Sequence, residues 1–206
     1  MNKVAKLVLV LLLPLAVGGC AVALNIKEGP SAYSLPLQKN APKIILGDLE
    51  DHRPDKSNVG IIGMLTLKTR KNINVLLTDR IAVKLRDEGF NVQKVNTASG
   101  GKNEIEITLN ENNGVVYFTG YITSFSVQTF DAIIEKAKGT AIFVIKIHSK
   151  DGTVKFEKQY ISQAENWIGF TGANGGAKTV EGTLTESVST LFKDTAFLNF
   201  LEDLKK

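Results

Sequence analysis

Few side chains in this 206-residue sequence are able to do chemistry, and their spacing argues against catalysis. The two histidines, His52 and His148, have no partner at a motif spacing, and no Gly-x-Ser-x-Gly elbow presents a serine. Asp48, Glu50, Asp51, His52 and Asp55 crowd one segment, the kind of oxygen-rich loop that hard cations favour. Arg53 and Lys56 intervene, however, and the alternating ligands of a calcium loop are missing, so a solvated loop and no metal site are expected. The run Gly172-Ala173-Asn174-Gly175-Gly176-Ala177-Lys178-Thr179 is similar to a phosphate-binding loop. Yet Ala177 separates Gly from Lys, and the run follows strands instead of opening a βαβ unit. A flexible loop before a helix is therefore expected, with no nucleotide and no cofactor. Trp167 and Phe170 stand beside Gly169, Gly172, Gly175 and Gly176. They either close one end of the core or form an exposed aromatic anchor for a partner, as large aromatics do at interfaces. The expectation taken here is the partner-binding edge.

The remaining reactive group is a thiol. Asn2-Lys3-Val4-Ala5-Lys6 is basic, and Leu7 to Val17 is apolar apart from Pro14. That run is shorter than the roughly 20 residues needed to cross a bilayer, and with its basic flank it reads as a secretory signal peptide. It runs directly into Val17-Gly18-Gly19-Cys20. Small residues before a lone cysteine at this place resemble a bacterial lipobox. The resemblance implies cleavage between Gly19 and Cys20 and a diacylglycerol on the Cys20 sulfur. Two or three acyl chains at about 0.8 kcal/mol per buried CH₂ hold a protein in a membrane essentially for good. Residue 21 is Ala and not the Asp associated with inner-membrane retention, so the periplasmic face of the outer membrane is expected. A single cysteine also excludes an internal disulfide and any cysteine-based zinc site.

Composition limits the partners. The sequence is 43% hydrophobic and 22% charged, ordinary globular proportions. Its net charge is +4, with Lys3 and Lys6 inside the signal region. So small and scattered an excess makes no nucleic-acid footprint, which needs a clustered basic face.

The elements that must position these residues follow from periodicity. Residues 1–19 are the signal. Residues 20–42, with Gly29, Pro30, Pro36 and Pro42, read as the anchor cysteine and a flexible tether spanning about 25 Å. Residues 43–206 read as one periplasmic domain. Within it, Lys43 to Asp48 is a buried strand and Leu49 to Asn58 a polar loop. Asn74 is placed to cap a helix over Val75–Glu88 that Gly89 ends, and Phe90 to Val95 is the next strand. From Glu104 the period is two, with turns at Asn113-Gly114 and Asp151-Gly152. Strands are expected over Val115–Thr129, Thr140–Ser149 and Val154–Ser162, while Ala132–Lys138 suits either a helical turn or a strand. Leu184, Val188, Leu191 and Phe192 mark a second helix, and Phe197, Leu198, Leu201 and Leu204 a third. The order β–α–β, meander, helices predicts a single α+β domain, an antiparallel-rich sheet with helices packed on one face.

That pattern resembles the YajG family of bacterial envelope lipoproteins. The likeness rests on Asp51-His52-Arg53-Pro54-Asp55, Asn74 to Gly89, the strand pair around Asp151-Gly152, Tyr160 to Phe170 and Thr195 to Leu204. It implies a lipid-anchored periplasmic domain and supplies no catalytic residues. At the level of fold the order also looks like the peptidoglycan-synthase activator lipoproteins. The expected function is non-enzymatic, a binding or assembly role toward an envelope protein or cell-wall partner, with the membrane met through the lipid on Cys20. The alternatives are a periplasmic cell-wall-active enzyme, which needs convergent acids or a nucleophile–base pair in a cleft, and a lipid or glycolipid carrier, which needs a large apolar cavity.

Overall fold

The computed structural model describes residues 21–26, 41–62, 65–95, 116–129, 136–167 and 172–206. Its spine is a meander of three 14-residue strands: β7 (Val116–Thr129), β8 (Lys136–Ser149) and β9 (Val154–Trp167). Their alternation sends Phe118, Ile122, Phe143, Ile145 and Ile147 to one face, where all are at most 1% exposed. The β8–β9 turn is built as its sequence requires. Gly152 takes φ +84°, open to glycine at no steric cost, and the Asp151 carboxylate accepts from the Ser149 hydroxyl at 2.6 Å and the Thr153 N–H at 3.0 Å.

The other edge of β7 is shared by three short strands that lie along it in succession, all parallel to it. These are β2 (Lys43–Gly47), β3 (Glu50–Asp51) and β4 (Asn58–Ile62). Beyond β2 lies β6 (Asn91–Val95), also parallel, and α1 (Ile73–Asp87) precedes β6 in the chain. Beyond β4 come β5 (Leu65–Thr69), antiparallel, and then β1 (Ala21–Leu24), parallel. The protein is thus a single α+β domain, but its sheet is mixed. The long antiparallel ladders are confined to the meander, and most of the remaining pairings are parallel.

The helices α1, α2 (Gly172–Lys193) and α3 (Thr195–Leu204) cover the face bearing Phe118 and Phe143. Phe197 at the start of α3 packs edge-on against Phe118 and Phe192. The opposite face carries only a small cluster, Ile45 and Val95 with Tyr117 against them.

Four local expectations are corrected. Asn74 lies inside α1, whose N-cap is Asn72. The Asn74 amide instead donates to the Leu49 carbonyl at 2.7 Å, tying the helix to the loop after β2. The glycine run is not a loop, because α2 begins at Gly172 and contains Gly175 and Gly176. Glycine is a poor helix former, costing about 1 kcal/mol against alanine, and here close packing explains it. A Cβ on Gly176 would fall 2.9 Å from Leu67 Cδ1 and 3.1 Å from Ile62 Cδ1. The segment read as a tether opens with β1, paired to β5 from Ala21↔Thr66 to Leu24↔Thr69, with Leu24 2% and Ile26 8% exposed. The polar loop after β2 contains β3 and a nearly buried ion pair, Arg53 with Asp51 at 2.8 Å. The β4–β5 hairpin was not expected, and β9 runs five residues past Ser162. Lys136–Lys138, left open above, is strand. Glu104 to Asn113 and the Asn113-Gly114 turn lie outside the described residues.

Candidate docking edge on the helix-free face

Large apolar side chains left in water mark surfaces that meet something else when they gather in one place. The large hydrophobics exposed among the described residues are Ile61 (51%), Val154 (46%), Ile161 (56%) and Trp167 (65%). Three of them are on β9. Strand register puts all four on the helix-free face, opposite Gln128, His148, Ile142 and Lys136 respectively. Trp167 ends β9 with the Lys136 ammonium over its ring, 4.9 Å from the centroid. It is therefore exposed and not packed in the core. Phe170 lies outside the described residues, as does Cys20.

β9 is also an edge strand, pairing only with β8 among the described residues. Its second row of backbone groups meets no other strand among the described residues. On its inner side β9 is held firmly. Ser162 and Ser187 are buried and share a hydrogen bond at 2.7 Å, and α2 passes low over the strand at Gly182, where a Cβ would fall 2.8 Å from the Asn166 amide. A rigid strand with a bare edge and an aromatic at its end is suited to receiving another strand.

The same face brings both histidines onto tyrosines of β7. His148 stacks on Tyr117 with centroids 4.4 Å apart and rings 5° from parallel, and His52 stacks on Tyr121 at 4.7 Å and 13°. His148 Nε2 lies 2.9 Å from Thr119 Oγ1, and its Nδ1 3.4 Å from the Gly152 carbonyl. A hydroxyl beside an imidazole is the start of a nucleophile–base pair, but acyl transfer also needs a substrate cleft and donors for an oxyanion. This pair sits on a solvent-facing sheet between stacked rings, an arrangement suited to cross-strand packing. Sequence reasoning missed both stacks because they join residues 31 and 69 positions apart. The available signal was Tyr117, Thr119 and Tyr121 at period two, opposite the expected outward positions of β8.

The acidic residues of the sequence cluster are dispersed among partners. Asp51 is neutralised by Arg53, whose guanidinium also donates to the Lys56 and Asn58 carbonyls at 2.7 and 3.0 Å. Glu50 pairs with His52 at 2.7 Å. Asp55 accepts from the Ser57 hydroxyl, which with the Asn58 N–H holds its carboxyl below the usual range. Asp48 is drawn to Lys94, whose ammonium lies 2.6 Å from it and 2.7 Å from Asp79. Burial works against charge on Lys94, but the hydrogen bonds it donates to the two carboxylates outweigh it and raise its pKa. Among the described residues no group of three or more His, Cys, Asp or Glu side chains is placed to hold a metal ion.

A surface groove of about 420 Å³ runs between α1 and α2, with Val188 and Phe192 on its floor and Arg80, Lys84 and Lys193 at its rim. Its cations are engaged: Arg80 donates to Thr185 at 2.9 Å, Lys84 pairs with Glu88 at 2.8 Å and Lys193 reaches Glu186 at 3.8 Å.

No protein-family model matches the chain, and no match is found among curated proteins. Solved structures do resemble it. A Xanthomonas campestris protein of the DUF330 family matches with TM-score 0.53 at 11% identity, covering 90% of this chain and 99% of that one. A lipoprotein from Neisseria meningitidis matches with TM-score 0.42 at 9% identity, over 61% of this chain and 84% of that one. A minor lipoprotein from Acinetobacter baumannii matches with TM-score 0.35 at 8% identity, over 75% and 91%. At 11% identity the likeness to the Xanthomonas protein is one of fold alone.

Proposed function

We propose that this chain is a non-enzymatic, lipid-anchored envelope protein of YajG type with a binding or assembly role, docking an envelope partner through the β9 edge and Trp167. The observation that carries the reading is that Val154, Ile161 and Trp167, spaced along one edge strand, are all exposed. Anchoring rests on the Gly19–Cys20 junction after an apolar run too short to span a bilayer. No helix among the described residues is long and apolar enough to cross one either. The outer membrane is favoured over the inner by Ala21.

Three measurements test the proposal. Cys20→Ala should move the protein out of the detergent-extracted membrane pool, and acylated protein remaining there would sink the anchor. Density-gradient separation of the wild type should find it with the outer membrane, whereas co-sedimentation with inner-membrane markers overturns that assignment. For the docking role, Trp167→Ala should weaken partner capture by more than about 1 kcal/mol, the threshold that marks an interface anchor. Undiminished capture by this variant removes Trp167 from the interface.

A further inference from the structure

We infer that the strand which completes the β9 edge is β9 of a second copy of this chain, paired antiparallel about a twofold axis at Tyr160. The inference rests on the docking role proposed above and names its partner.

A bare edge of 14 residues is a hazard that proteins blunt with charges, and β9 carries Lys155, Glu157, Lys158 and Glu165. How those charges would meet in a self-pairing is decided by register. Two β9 strands can join into one continuous sheet only if odd residues oppose odd ones, so that exposed and buried faces stay aligned. Along residues 156–167, where alternation is unbroken, the numbers of opposed residues must therefore sum to an even total. At Lys155 a β-bulge shifts the register, so that Val154 shares the face of Ile161 despite its even number. With Ile161 on the axis, Glu157 opposes Glu165 twice. With Lys158 on the axis, two lysines meet, and with Glu157 on it, two glutamates meet. With Gln159 or Ser162 on the axis no charge opposes another, and with Phe156 on it only residues 154–158 overlap. With Tyr160 on the axis, Lys155 of each copy opposes Glu165 of the other over nearly the whole strand, and no like charges meet. Lys155 and Glu165 are both exposed and ready to pair.

The rest of that register is compatible with the exposure seen. Glu157 faces Gln163, and Gln159 faces Ile161, which is 56% exposed in the single chain. Trp167 lies at the end of the pairing, where the bulge at Lys155 takes the other strand out of register. The contact is isologous, the commonest form of symmetric assembly, and it closes on itself so that no filament grows. Complementary charge sets the register, and the backbone ladder together with the covered apolar residues supplies affinity.

The test is to size the full mature lipoprotein in detergent by light scattering, alongside Lys155→Glu, Glu165→Lys and the double variant. The wild type should be a dimer. Each single reversal places two like-charged pairs in the contact and should raise the dissociation constant at least tenfold, and the double reversal should restore the dimer. Melting temperatures of all four confirm that each variant is folded. A monomeric wild type, or a dimer indifferent to both single reversals, overturns the inference. A photo-crosslinker replacing Gln163 in intact cells separates this failure from failure of the docking role itself. An adduct of twice the chain mass supports self-pairing. An adduct with another envelope protein overturns self-pairing while the docking edge stands, and no adduct at all overturns both.

Discussion

Tyr160 donates its phenolic hydrogen to Asp194 across 2.6 Å, and the same carboxylate caps α3 by accepting from the Ala196 N–H at 3.2 Å. Lys158 reaches it as well, at 2.9 Å. One side chain thus fastens the middle of β9 to the turn between α2 and α3, holding the edge strand flat against the helices that back it.

Two pH limbs follow from this junction. Partial burial opposes the charge on Asp194, but Tyr160, Lys158 and the α3 N-terminus prevail and hold its pKa below the ordinary value. Its contribution is therefore present above the ordinary carboxylate range and is lost as pH falls through the depressed value. Burial, and then the Asp194 charge, push Tyr160 upward from 10.0, so its contribution is complete below pH 10 and fades as pH rises further. Asp194→Ala should cost about 2 kcal/mol at neutral pH, the upper range for a lost cap, and flatten the acid limb. Tyr160→Phe should flatten the alkaline limb. Urea unfolding across pH checks both, and unchanged slopes would remove the junction from the account.

Lys94 should be harder to replace than any surface lysine. Its side chain is 4% exposed between Asp48 and Asp79, and removing it takes from both carboxylates the ammonium they share, although Asp79 keeps Lys71 at 3.0 Å. Lys94→Met should cost about 3 kcal/mol in urea unfolding, as breaking a buried ion pair does. Adding Asp48→Asn should return part of that loss. Its raised pKa adds that the Lys94 contribution, complete below 10.5, fades as pH climbs beyond that value.

The approach of α2 to β8 depends on Gly139. A Cβ there would meet Thr183 Oγ1 at 1.8 Å and Thr183 Cβ at 3.1 Å. Gly139→Ala should destabilise by about 1–3 kcal/mol through overpacking. Thr183→Ala in the same chain should recover part of it, giving a coupling above the roughly 0.5 kcal/mol seen for independent sites. Additive losses in thermal unfolding would show that the two residues do not meet.

At Trp167 the expectation is reversed, because a residue 65% exposed has little packing to lose. Trp167→Ala should change unfolding free energy by no more than about 0.5 kcal/mol. A loss of several kcal/mol, the size seen for core truncations, would place the ring in the interior.

Shortening the chain to residues 43–206 should weaken it without abolishing cooperative unfolding. The cut removes β1 and with it Leu24 and Ile26, both buried. Each fully buried residue of this kind is worth about 1.5–3 kcal/mol. A chain beginning at Ala21 should therefore outlast the shorter one in denaturant by several kcal/mol, and equal midpoints would mean that β1 is not part of the folded unit.

What the sequence made legible was local. Leu77, Ile81 and Leu85 marked α1, and Phe143, Ile145 and Ile147 marked β8, because a single face decides each pattern. The features it hid depend on distant partners. β1 has four residues and is a strand because β5, some 45 positions away, lies beside it. The glycines opening α2 speak against helix by intrinsic preference, and for Gly176 the side chains of Ile62 and Leu67 supply the reason. The parallel pairing of β2, β3 and β4 along β7 is likewise invisible to periodicity, which shows that a strand exists and not which neighbour it takes. For the same reason the exposure of Trp167 was an open alternative, while its place on an edge shared with Val154 and Ile161 emerged only from the register.

β1 begins at Ala21, one residue after Cys20. Were that cysteine acylated as proposed, the slack between lipid and sheet would be a single peptide unit, under about 4 Å, where a tether of 22 residues would give about 25 Å. Such an attachment is a pivot and not a leash. A leashed domain sweeps a deep hemisphere and meets partners at many heights above the bilayer. A pivoted one, with a radius of gyration of about 16 Å for its length, stays pressed to the lipid surface and can only turn about a fixed point. Encounters are then confined to a thin layer at the membrane. Within that layer two anchored molecules diffuse in a plane, which raises their local concentration and narrows the angles at which their surfaces can meet.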